Sequence, residues 1–357
     1  MPRSSQQRSA YVCYCSASPC SADGFPSAYS TPIERIKMRF ATLNDGSRDG
    51  RLAVVSIDHA RALLVEGVAT LQVLLDDWDH LIPLCRAAQQ RVEAGQGEAF
   101  NPSAAMAPLP RAWQWLDGSA YPSHGELMDQ VLGIVPEKTG RPLMYQGLSD
   151  HFLSGHEDVA FPDLSHGIDF EGEFGVVLDN VAVGTPVEEC ARAIRLVVQI
   201  NDWSLRALAG PEMKTGFGWI QAKPACSMAP VALTPDAVGT AWAEGGVDLT
   251  LEVDWNGRSF GRAQGGAMAW SFAQLIAHAA ATRKLPAGTI IGSGTVSNAN
   301  FRDVGSSCIA ERRGIEIVDT GTATTGFMTF GDRVRMEARA RDGAPLFGAI
   351  DQRVVQA

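Results

Sequence analysis

The spacing of apolar residues separates a short first part of the chain from a longer second part. From Met38, two strand-like runs flank a turn, and a third run follows. The predicted strands span 38–43, 51–57 and 62–65. Residues 71–95 then space their apolar side chains three and four positions apart, as an amphipathic helix does, and Pro83 predicts a break within it. A Pro- and Ala-rich linker over 101–110 closes this part.

The rest of the chain, residues 110–357, is rich in short β-branched runs. These runs are IDFEGEFGVVL, LVVQIND, VDLTLEVDWNG, GTIIGSGTV, GIEIVD and DRVRMEARA. Helical spacing predicts helices over 187–194 and 268–282, with Ser271 as the N-cap of the second. Because strands and helices do not alternate regularly, the pattern favours a β-rich α+β fold over a doubly wound sheet.

Residues 1–37 show neither the spacing of apolar residues that indicates a helix nor the alternation that indicates a strand. They are rich in Ser, Ala and Pro and lack the apolar segment of a signal peptide, so we expect a disordered or spurious extension, with Met38 as a candidate start. Three parts are therefore expected, in keeping with a length of 357 residues. They are the extension over 1–37, a small domain over 38–109 and a larger domain over 110–357.

Composition and charge exclude several classes of protein. The net charge is -10 and no basic cluster occurs, which argues against a general nucleic-acid-binding protein. No segment approaches the roughly 20 apolar residues of a membrane-spanning helix. Of the 7 cysteines, three lie close together at 13, 15 and 20 and the other four are widely scattered, and no CxxC pair occurs. This usage indicates a reducing compartment such as the cytoplasm and argues against a zinc site or a disulfide framework.

The first motif with chemical meaning is Glu171-Gly-Glu173 within an apolar run. On a strand the two carboxylates share one face, roughly 6.6 Å apart, and would repel each other. A hard divalent cation such as Mg²⁺ or Ca²⁺ would remove the repulsion. A solvent-exposed strand face explains the same motif without a metal.

The other motifs are each open to two interpretations. Asp202 ends an apolar run that predicts a strand, and Arg206 follows four residues later. The end of a strand is a common place for a functional site, but a capping Asp and a surface Arg would give the same pattern. Lys223 lies in an apolar stretch, where its ammonium group either serves a site or reaches to water. The segment GSGTVSN lacks the GK[ST] ending of a phosphate loop, which favours a sharp turn. The remaining polar positions of interest are Asp117, His124 and Glu311.

In this order, the motifs resemble the fumarylacetoacetate hydrolase family over nearly all of residues 110–357. The segments that carry the resemblance are Asp117 with His124, YQG at 145–147, Glu171 with Glu173, NDWSLR at 201–206, the Lys223 segment, GSGTVS at 292–297 and GSSCIAE at 305–311. The resemblance implies an α+β fold with a mixed β-roll catalytic domain, preceded by a small domain that resembles an SH3-like barrel.

The resemblance also implies a role for each site residue. The implied ligands of Mg²⁺ or Ca²⁺, with Mn²⁺ as a further candidate, are Asp117, Glu171, Glu173 and Asp202. The implied catalytic residues are His124 as general base, Glu311 as its orienting partner, and Lys223 and Arg206 as cations that stabilise negative charge. The implied substrate contacts are Tyr145 and Thr295, with Gln221 as a substitute contact. His151 and His156 also lie near the YQG segment, but they lack the spacing from Asp117 that the family has.

The implied activity is hydrolysis of a C–C bond in a 1,3-dicarbonyl acid, such as fumarylacetoacetate or a related acylpyruvate, in the catabolism of tyrosine and other aromatic compounds. A cytoplasmic homodimer is the assembly that the family suggests. The alternatives are a metal-dependent 2-oxo acid hydratase, decarboxylase or isomerase of the same superfamily, and a non-catalytic binding protein.

The match weakens at the substrate carboxylate contacts. Ser119, Gly133 and Met213 stand where the fumarylacetoacetate enzymes carry Tyr, Arg and Tyr. We therefore expect cleavage of a dicarbonyl acid rather than specificity for fumarylacetoacetate in particular.

Overall fold

The computed structural model describes residues 37–133, 140–340, 343 and 346–357, which belong to one compact unit. The expectation for residues 1–37 falls outside these residues, apart from Lys37, and stays a prediction.

The described residues form a strand-rich α+β fold, as predicted. The strands are β1 (Arg39–Leu43), β2 (Arg51–Val55), β3 (Arg61–Leu64), β4 (Glu98–Ala99), β5 (Trp115–Gly118), β6 (Met144–Gly147), β7 (Leu153–Ser154), β8 (Val159–Phe161), β9 (Ile168–Asp169), β10 (Gly172–Leu178), β11 (Ile194–Asn201), β12 (Ser204–Leu205), β13 (Ser227–Met228), β14 (Ala232–Leu233), β15 (Trp242–Ala243), β16 (Gly246–Val247), β17 (Thr250–Trp255), β18 (Arg258–Gln264), β19 (Ile290–Gly292), β20 (Arg333–Ala338) and β21 (Ile350–Gln356). The α-helices are α1 (Leu71–Asp76), α2 (Trp78–Glu93), α3 (Pro122–Leu132), α4 (Val187–Cys190), α5 (Arg206–Thr215), α6 (Pro235–Val238), α7 (Phe272–Ala280), α8 (Phe301–Val304) and α9 (Ile309–Thr320). Short 3-10 helices span Pro102–Ala104, Leu164–His166, Ala191–Ala193, Gly239–Ala241 and Gly265–Ala267. Every helix in the described part of the chain is too short or too polar to cross a membrane.

The first strands of the chain form an antiparallel meander. The three predicted strands are confirmed as β1, β2 and β3, and β4 adds to their edge. β1 also pairs with β14, where Arg39 lies opposite Leu233, so the meander continues into the large sheet. The barrel-like form of residues 38–109 and the boundary near 110 stay predictions.

The large sheet places β10 at the centre of the molecule. Its strands run in the order β4-β3-β2-β1-β14-β11-β10-β19-β5-β6, and a second sheet has the order β18-β17-β20-β21-β8. Every residue of β10 is buried. Phe174 and Val176 pack into one apolar core and Val177 into another, as the two-residue period of a strand requires. A strand buried on both faces explains the nearly continuous apolar run in its sequence.

The break predicted at Pro83 is wrong. The chain leaves the helical conformation at Asp77 instead, and α2 continues through Pro83. A proline inside a helix removes one backbone hydrogen bond. Because Ile82, Cys85 and Val92 are buried along one face of α2, tertiary packing holds the helix together despite that loss.

Two further helix predictions are refined, and one strand prediction is wrong. The helix predicted over 187–194 is the four-residue α4 followed by a 3-10 turn, and the helix predicted over 268–282 is α7, with Ser271 confirmed as its N-cap. The segment GIEIVD, taken as a strand, belongs to α9 and that prediction is wrong. Its apolar residues are spaced closely enough to suit either period, and the structure forms the helix, in which Ile309 and Ile315 are both buried.

Replacing Ser271 with alanine should lower the free energy of unfolding by about 1 kcal/mol, the usual contribution of a hydroxyl N-cap. The Ser271 hydroxyl accepts from the Gln274 N–H, and the Gln274 side chain accepts from the Ser271 N–H, so the substitution breaks half of a reciprocal pair. Urea unfolding followed by circular dichroism measures the change. The exposed Ser259→Ala is the matched control, and equal stability of the two variants would contradict the capping role.

Candidate active site

Three carboxylate side chains converge where neighbouring strands of the large sheet lie side by side. Asp117 belongs to β5, Glu173 belongs to β10, and Asp202 directly follows β11. β10 pairs with β11 on one side and with β19 on the other, and β19 pairs with β5. As a result, one oxygen of each carboxylate lies within 4.8 Å of the other two, and all three side chains are buried.

Gly292 of β19 makes this approach possible. It lies opposite Asp117 on β5 and Gly175 on β10. A Cβ atom at position 292 would lie 2.2 Å from Oδ1 of Asp117 and 2.3 Å from the Trp115 ring. The Gly294 N–H also donates to Oδ1 of Asp117 at 3.0 Å. The glycine-rich turn, which the sequence predicted only as a sharp turn, thus holds the Asp117 carboxylate.

The three carboxylates repel one another because burial removes them from water. Burial, with Asp202 as the next cause, raises the pKa of Asp117 to about 8. Burial and the nearby Asp117 and Asp202 also raise the pKa of Glu173 well above its usual range. Neither carboxylate oxygen of Glu173 has a hydrogen-bond partner among the described residues. Unpartnered buried oxygens on three converging carboxylates are the donor set that a hard divalent cation prefers.

Glu171, the fourth expected ligand, contacts cationic and hydroxyl side chains. Its Oε1 accepts a hydrogen bond from Nζ of Lys223 at 2.6 Å and lies 3.1 Å from Nη2 of Arg206. The Ser204 hydroxyl donates to Oε1, and the Thr295 hydroxyl donates to Oε2. Burial opposes the charge of Glu171, but Arg206 and Lys223 hold its pKa well below the usual range. The carboxylate is therefore ionised and paired with protein cations.

Lys223 links Glu171 to the carboxylate cluster. Besides Glu171, its Nζ donates to Oδ2 of Asp202 at 2.5 Å, and the Tyr145 hydroxyl donates to the same oxygen at 2.7 Å. Nζ lies 5.3 Å from the ring centre of Tyr145 and 5.9 Å from that of Trp219. Burial alone would lower the pKa of Lys223, but Asp202 and Glu171 raise it, so the ammonium group stays charged.

Asp169 anchors Arg206 and was not singled out in the sequence. Its carboxylate accepts from Nε of Arg206 at 2.8 Å and from the backbone N–H groups of Ile309 and Ala310 at 2.7 and 2.9 Å. The last two groups begin α9, where an anion is favoured by the helix dipole. The acidic residues alternate at 169, 171 and 173, and this alternation could have identified Asp169 from the sequence.

His124 and Glu311 face each other from α3 and α9. Nδ1 of His124 lies 3.8 Å from Oε1 of Glu311, which is an ion-pair distance but is longer than a hydrogen bond. The Ser297 hydroxyl donates to that Glu311 oxygen, and the Ser123 and Ser297 hydroxyls lie 2.8 Å apart. The two residues are thus brought together at ion-pair distance, without a direct hydrogen bond between them. Ser297, in the GSGTVS motif, is a further residue that the sequence did not single out.

The expected substrate contacts divide into two sets. Tyr145 and Thr295 lie at the site through their bonds to Asp202 and Glu171. The Gln221 side chain is exposed. Trp219, missed from the sequence, packs edge-on against Tyr145 with ring centres 5.0 Å apart.

Two cysteines also lie at the site, Cys226 beside Asp202 and Cys308 near Glu171 and His124. The Cys226 thiol donates to Oδ1 of Asp202 at 2.9 Å, and burial raises its pKa well above the usual range. Single atoms of His124, Glu171 and Cys308 lie within 4.8 Å of one another. The sequence treated the cysteines only as a redox signal, so neither thiol was predicted at the site.

The geometry defines a class of protein, a strand-rich α+β enzyme whose buried carboxylates lie beside the buried Lys223 and the partly buried Arg206. Residues 114–355 match the family model for the fumarylacetoacetate (FAA) hydrolase C-terminal region, and residues 38–111 match that for fumarylacetoacetase N-terminal domain 2. The chain belongs to the fumarylacetoacetate hydrolase family. The resemblance drawn from the sequence is therefore confirmed.

Several solved structures share the fold at low sequence identity. A "putative HpcE protein" from Mycobacterium smegmatis aligns with a TM-score of 0.63 and 20% identity over 90% of this chain and 100% of that chain. Maleylpyruvate hydrolase from Sphingobium sp. SYK-6, in complex with manganese(II) and pyruvate, aligns with a TM-score of 0.61 and 17% identity over 90% and 100%. The 5-carboxymethyl-2-hydroxymuconate delta-isomerase from Mycobacterium smegmatis aligns with a TM-score of 0.55 and 18% identity over 90% and 99%. No curated protein matches the chain in sequence.

Cation binding should release at least about one proton per ion at pH 7, because the carboxylates must ionise to act as ligands. The pKa of Asp117 is raised to about 8 and that of Glu173 is raised as well, so the folded cation-free protein holds protons that the unfolded chain loses near pH 4. Its stability should consequently fall as the pH rises from about 4 to about 8, whereas cation affinity should rise over the same range.

Titration calorimetry with Mg²⁺ or Mn²⁺ in two buffers of different ionisation enthalpy measures the released protons. The Glu173→Gln variant, which keeps the shape of the side chain, should lose most of the affinity. Tight binding without proton release, or undiminished binding by Glu173→Gln, would contradict the assignment of this site.

Proposed function

We propose that this protein is a metal-dependent hydrolase that cleaves the C–C bond between the carbonyl groups of a 1,3-dicarbonyl acid, such as fumarylacetoacetate or a related acylpyruvate. The observation that carries the proposal is the buried cluster of Asp117, Glu173 and Asp202, in which Glu173 has no hydrogen-bond partner among the described residues. Mg²⁺, Ca²⁺ and Mn²⁺ all accept oxygen ligands of this kind. The manganese and pyruvate bound by the Sphingobium maleylpyruvate hydrolase support the choice.

The reaction adds one water molecule across the bond. The attacked carbonyl carbon gains the hydroxyl group and becomes a carboxylic acid. The neighbouring carbon keeps the bonding electrons, takes up a proton and leaves as part of an oxo acid, which is a 2-oxo acid from an acylpyruvate and a 3-oxo acid from fumarylacetoacetate. A divalent cation held by Asp117, Glu173 and Asp202 would supply Lewis-acid chemistry, polarising the substrate oxygens.

Lys223 and Arg206 supply fixed positive charge beside this cluster. Both are held by carboxylates, Lys223 by Glu171 and Asp202 and Arg206 by Asp169 and Glu171, so their positions are set before substrate arrives. Donors placed in advance where negative charge develops contribute roughly 3–4 kcal/mol each to a lower barrier.

His124 is the proposed general base that takes a proton from water. Its ring lies across from Glu311, whose negative charge would stabilise the imidazolium that forms. Hydrogen bonds of catalytic groups are often long before substrate binds, so the 3.8 Å separation is compatible with this role. We assign Tyr145 and Thr295 as substrate contacts, because their hydroxyls bind the two carboxylates nearest Lys223.

A second candidate is a 2-oxo acid isomerase, hydratase or decarboxylase that uses the same cation site. The observation that favours it is the absence of a direct hydrogen bond between His124 and Glu311 among the described residues. The similarity in fold to an isomerase gives it further support. The hydrolase is preferred because His124 and Glu311 still face each other at ion-pair distance.

Other properties are proposed from the family resemblance alone. They are a homodimeric assembly, a cytoplasmic location, a role in the catabolism of tyrosine or other aromatic compounds, and an SH3-like barrel form for residues 38–109.

Replacing His124 with alanine should lower kcat for acylpyruvate cleavage by about 10²–10⁴-fold, since general-base catalysis contributes that much. Loss of enol ultraviolet absorbance follows the reaction. Cation affinity should be unchanged, because His124 is not part of the carboxylate cluster.

The matched control is His151→Ala, which removes an exposed histidine that also lies near the YQG segment. Equal activity of His124→Ala and the unsubstituted protein would overturn the role of the base. Loss of cation binding on that substitution would mean that His124 is a ligand instead.

A further inference from the structure

The segment from α5 to Lys223 is held in place by polar contacts. No residue of α5 is buried, and Phe217 and Ile220 in the following turn are 98% and 84% exposed. Gly216 and Gly218 both adopt positive φ angles, of 75° and 96°, which allows the chain to reverse sharply. A segment with so few buried apolar side chains belongs to the least stable parts of a fold.

Glu212 closes this segment on itself. Its carboxylate accepts hydrogen bonds from the backbone N–H groups of Ile220, Gln221 and Ala222 at 3.0, 2.9 and 3.0 Å. These are the three residues directly before Lys223. Bonds from N–H groups to a carboxylate are stronger than neutral ones, and together they hold the pKa of Glu212 below its usual range.

The closed segment carries two groups into the site. Trp219 packs against Tyr145, and its indole N–H donates to the Ala209 carbonyl oxygen of α5 at 3.1 Å. Lys223 reaches Glu171 and Asp202. Arg206 begins the same helix at the other end of the segment. The carboxylate of Glu212 therefore ties together the stretch of chain that supplies both cations and one aromatic wall.

We propose that Glu212 is a positioning residue, which holds the backbone of residues 220–222 so that Lys223 and Trp219 are fixed beside the carboxylate cluster. It acts through these groups and touches no proposed ligand. The consequence for catalysis rests on the proposed function, whereas the anchoring of the segment does not.

Hydrogen exchange measured by mass spectrometry tests the anchoring on the full-length protein. In Glu212→Gln, one oxygen becomes an NH₂ group that cannot accept, so amide exchange of residues 216–222 should accelerate by about tenfold or more, with the core strands unchanged. Glu212→Ala should show a larger effect. The exposed Glu188→Gln carries the same change of charge and should exchange as the unsubstituted protein does.

Kinetics with an acylpyruvate and excess Mg²⁺ tests the consequence. The kcat of Glu212→Gln should fall about tenfold or more with a smaller change in KM, because Lys223 acts on charge that develops in the transition state. Mg²⁺ affinity should stay within about twofold, since the ligands are held by strands.

Unchanged exchange in Glu212→Gln, or accelerated exchange with unchanged kcat, would overturn the positioning role. If the unsubstituted protein cleaves no dicarbonyl at all, the proposed function fails, and the exchange data alone then decide whether Glu212 anchors the segment.

Discussion

The need to balance buried negative charge is the constraint on which the rest of the site depends. Apart from Glu311 on α9, five buried carboxylates lie on β5, β9 and β10 or directly beside β10 and β11. They are Asp117, Asp169, Glu171, Glu173 and Asp202. Lys223 and Arg206 supply two positive charges, which leaves three negative charges if every carboxylate is ionised. Isolated charges in a protein interior are too costly to persist, so the balance must come from bound protons or from a divalent cation. If a divalent cation provides the balance, the buried carboxylates form its binding site.

The two halves of the site are built on different kinds of structure. The cluster of Asp117, Glu173 and Asp202 is held by β5, β10 and the end of β11, whose register is fixed by buried apolar residues on both faces. His124, Glu311 and Lys223 come from helices and an exposed segment. Strands hold side chains at fixed distances, whereas side chains on helices or on an exposed segment depend on further hydrogen bonds and ion pairs to keep their positions. The long separation of His124 and Glu311 and the dependence of Lys223 on Glu212 both belong to this second half.

Much of this arrangement is predictable from sequence, because the motifs that carry the family resemblance also carry the chemistry. The sequence identifies Asp117, Glu173, Asp202 and Lys223 as members of one site, and the structure brings them together. It does not show that Glu171 is paired with Lys223 and Arg206, because those contacts join residues that are far apart in the chain. The segment GIEIVD of α9 was taken for a strand because a short apolar run fits both the strand and the helix period, and tertiary packing decides between them. Contacts such as those of Glu212 involve backbone groups, which leave no trace in a residue pattern.

The most direct test is to incubate acylpyruvates of different acyl groups with the protein, once with Mg²⁺ or Mn²⁺ and once after treatment with a chelator. Enol absorbance and the released acids are followed together. We predict cation-dependent loss of absorbance with one equivalent of pyruvate and one of the acyl acid, and no reaction after chelation. Pyruvate release that survives complete removal of the cation, or intact dicarbonyl in the presence of bound cation, would contradict a metal-dependent C–C hydrolase.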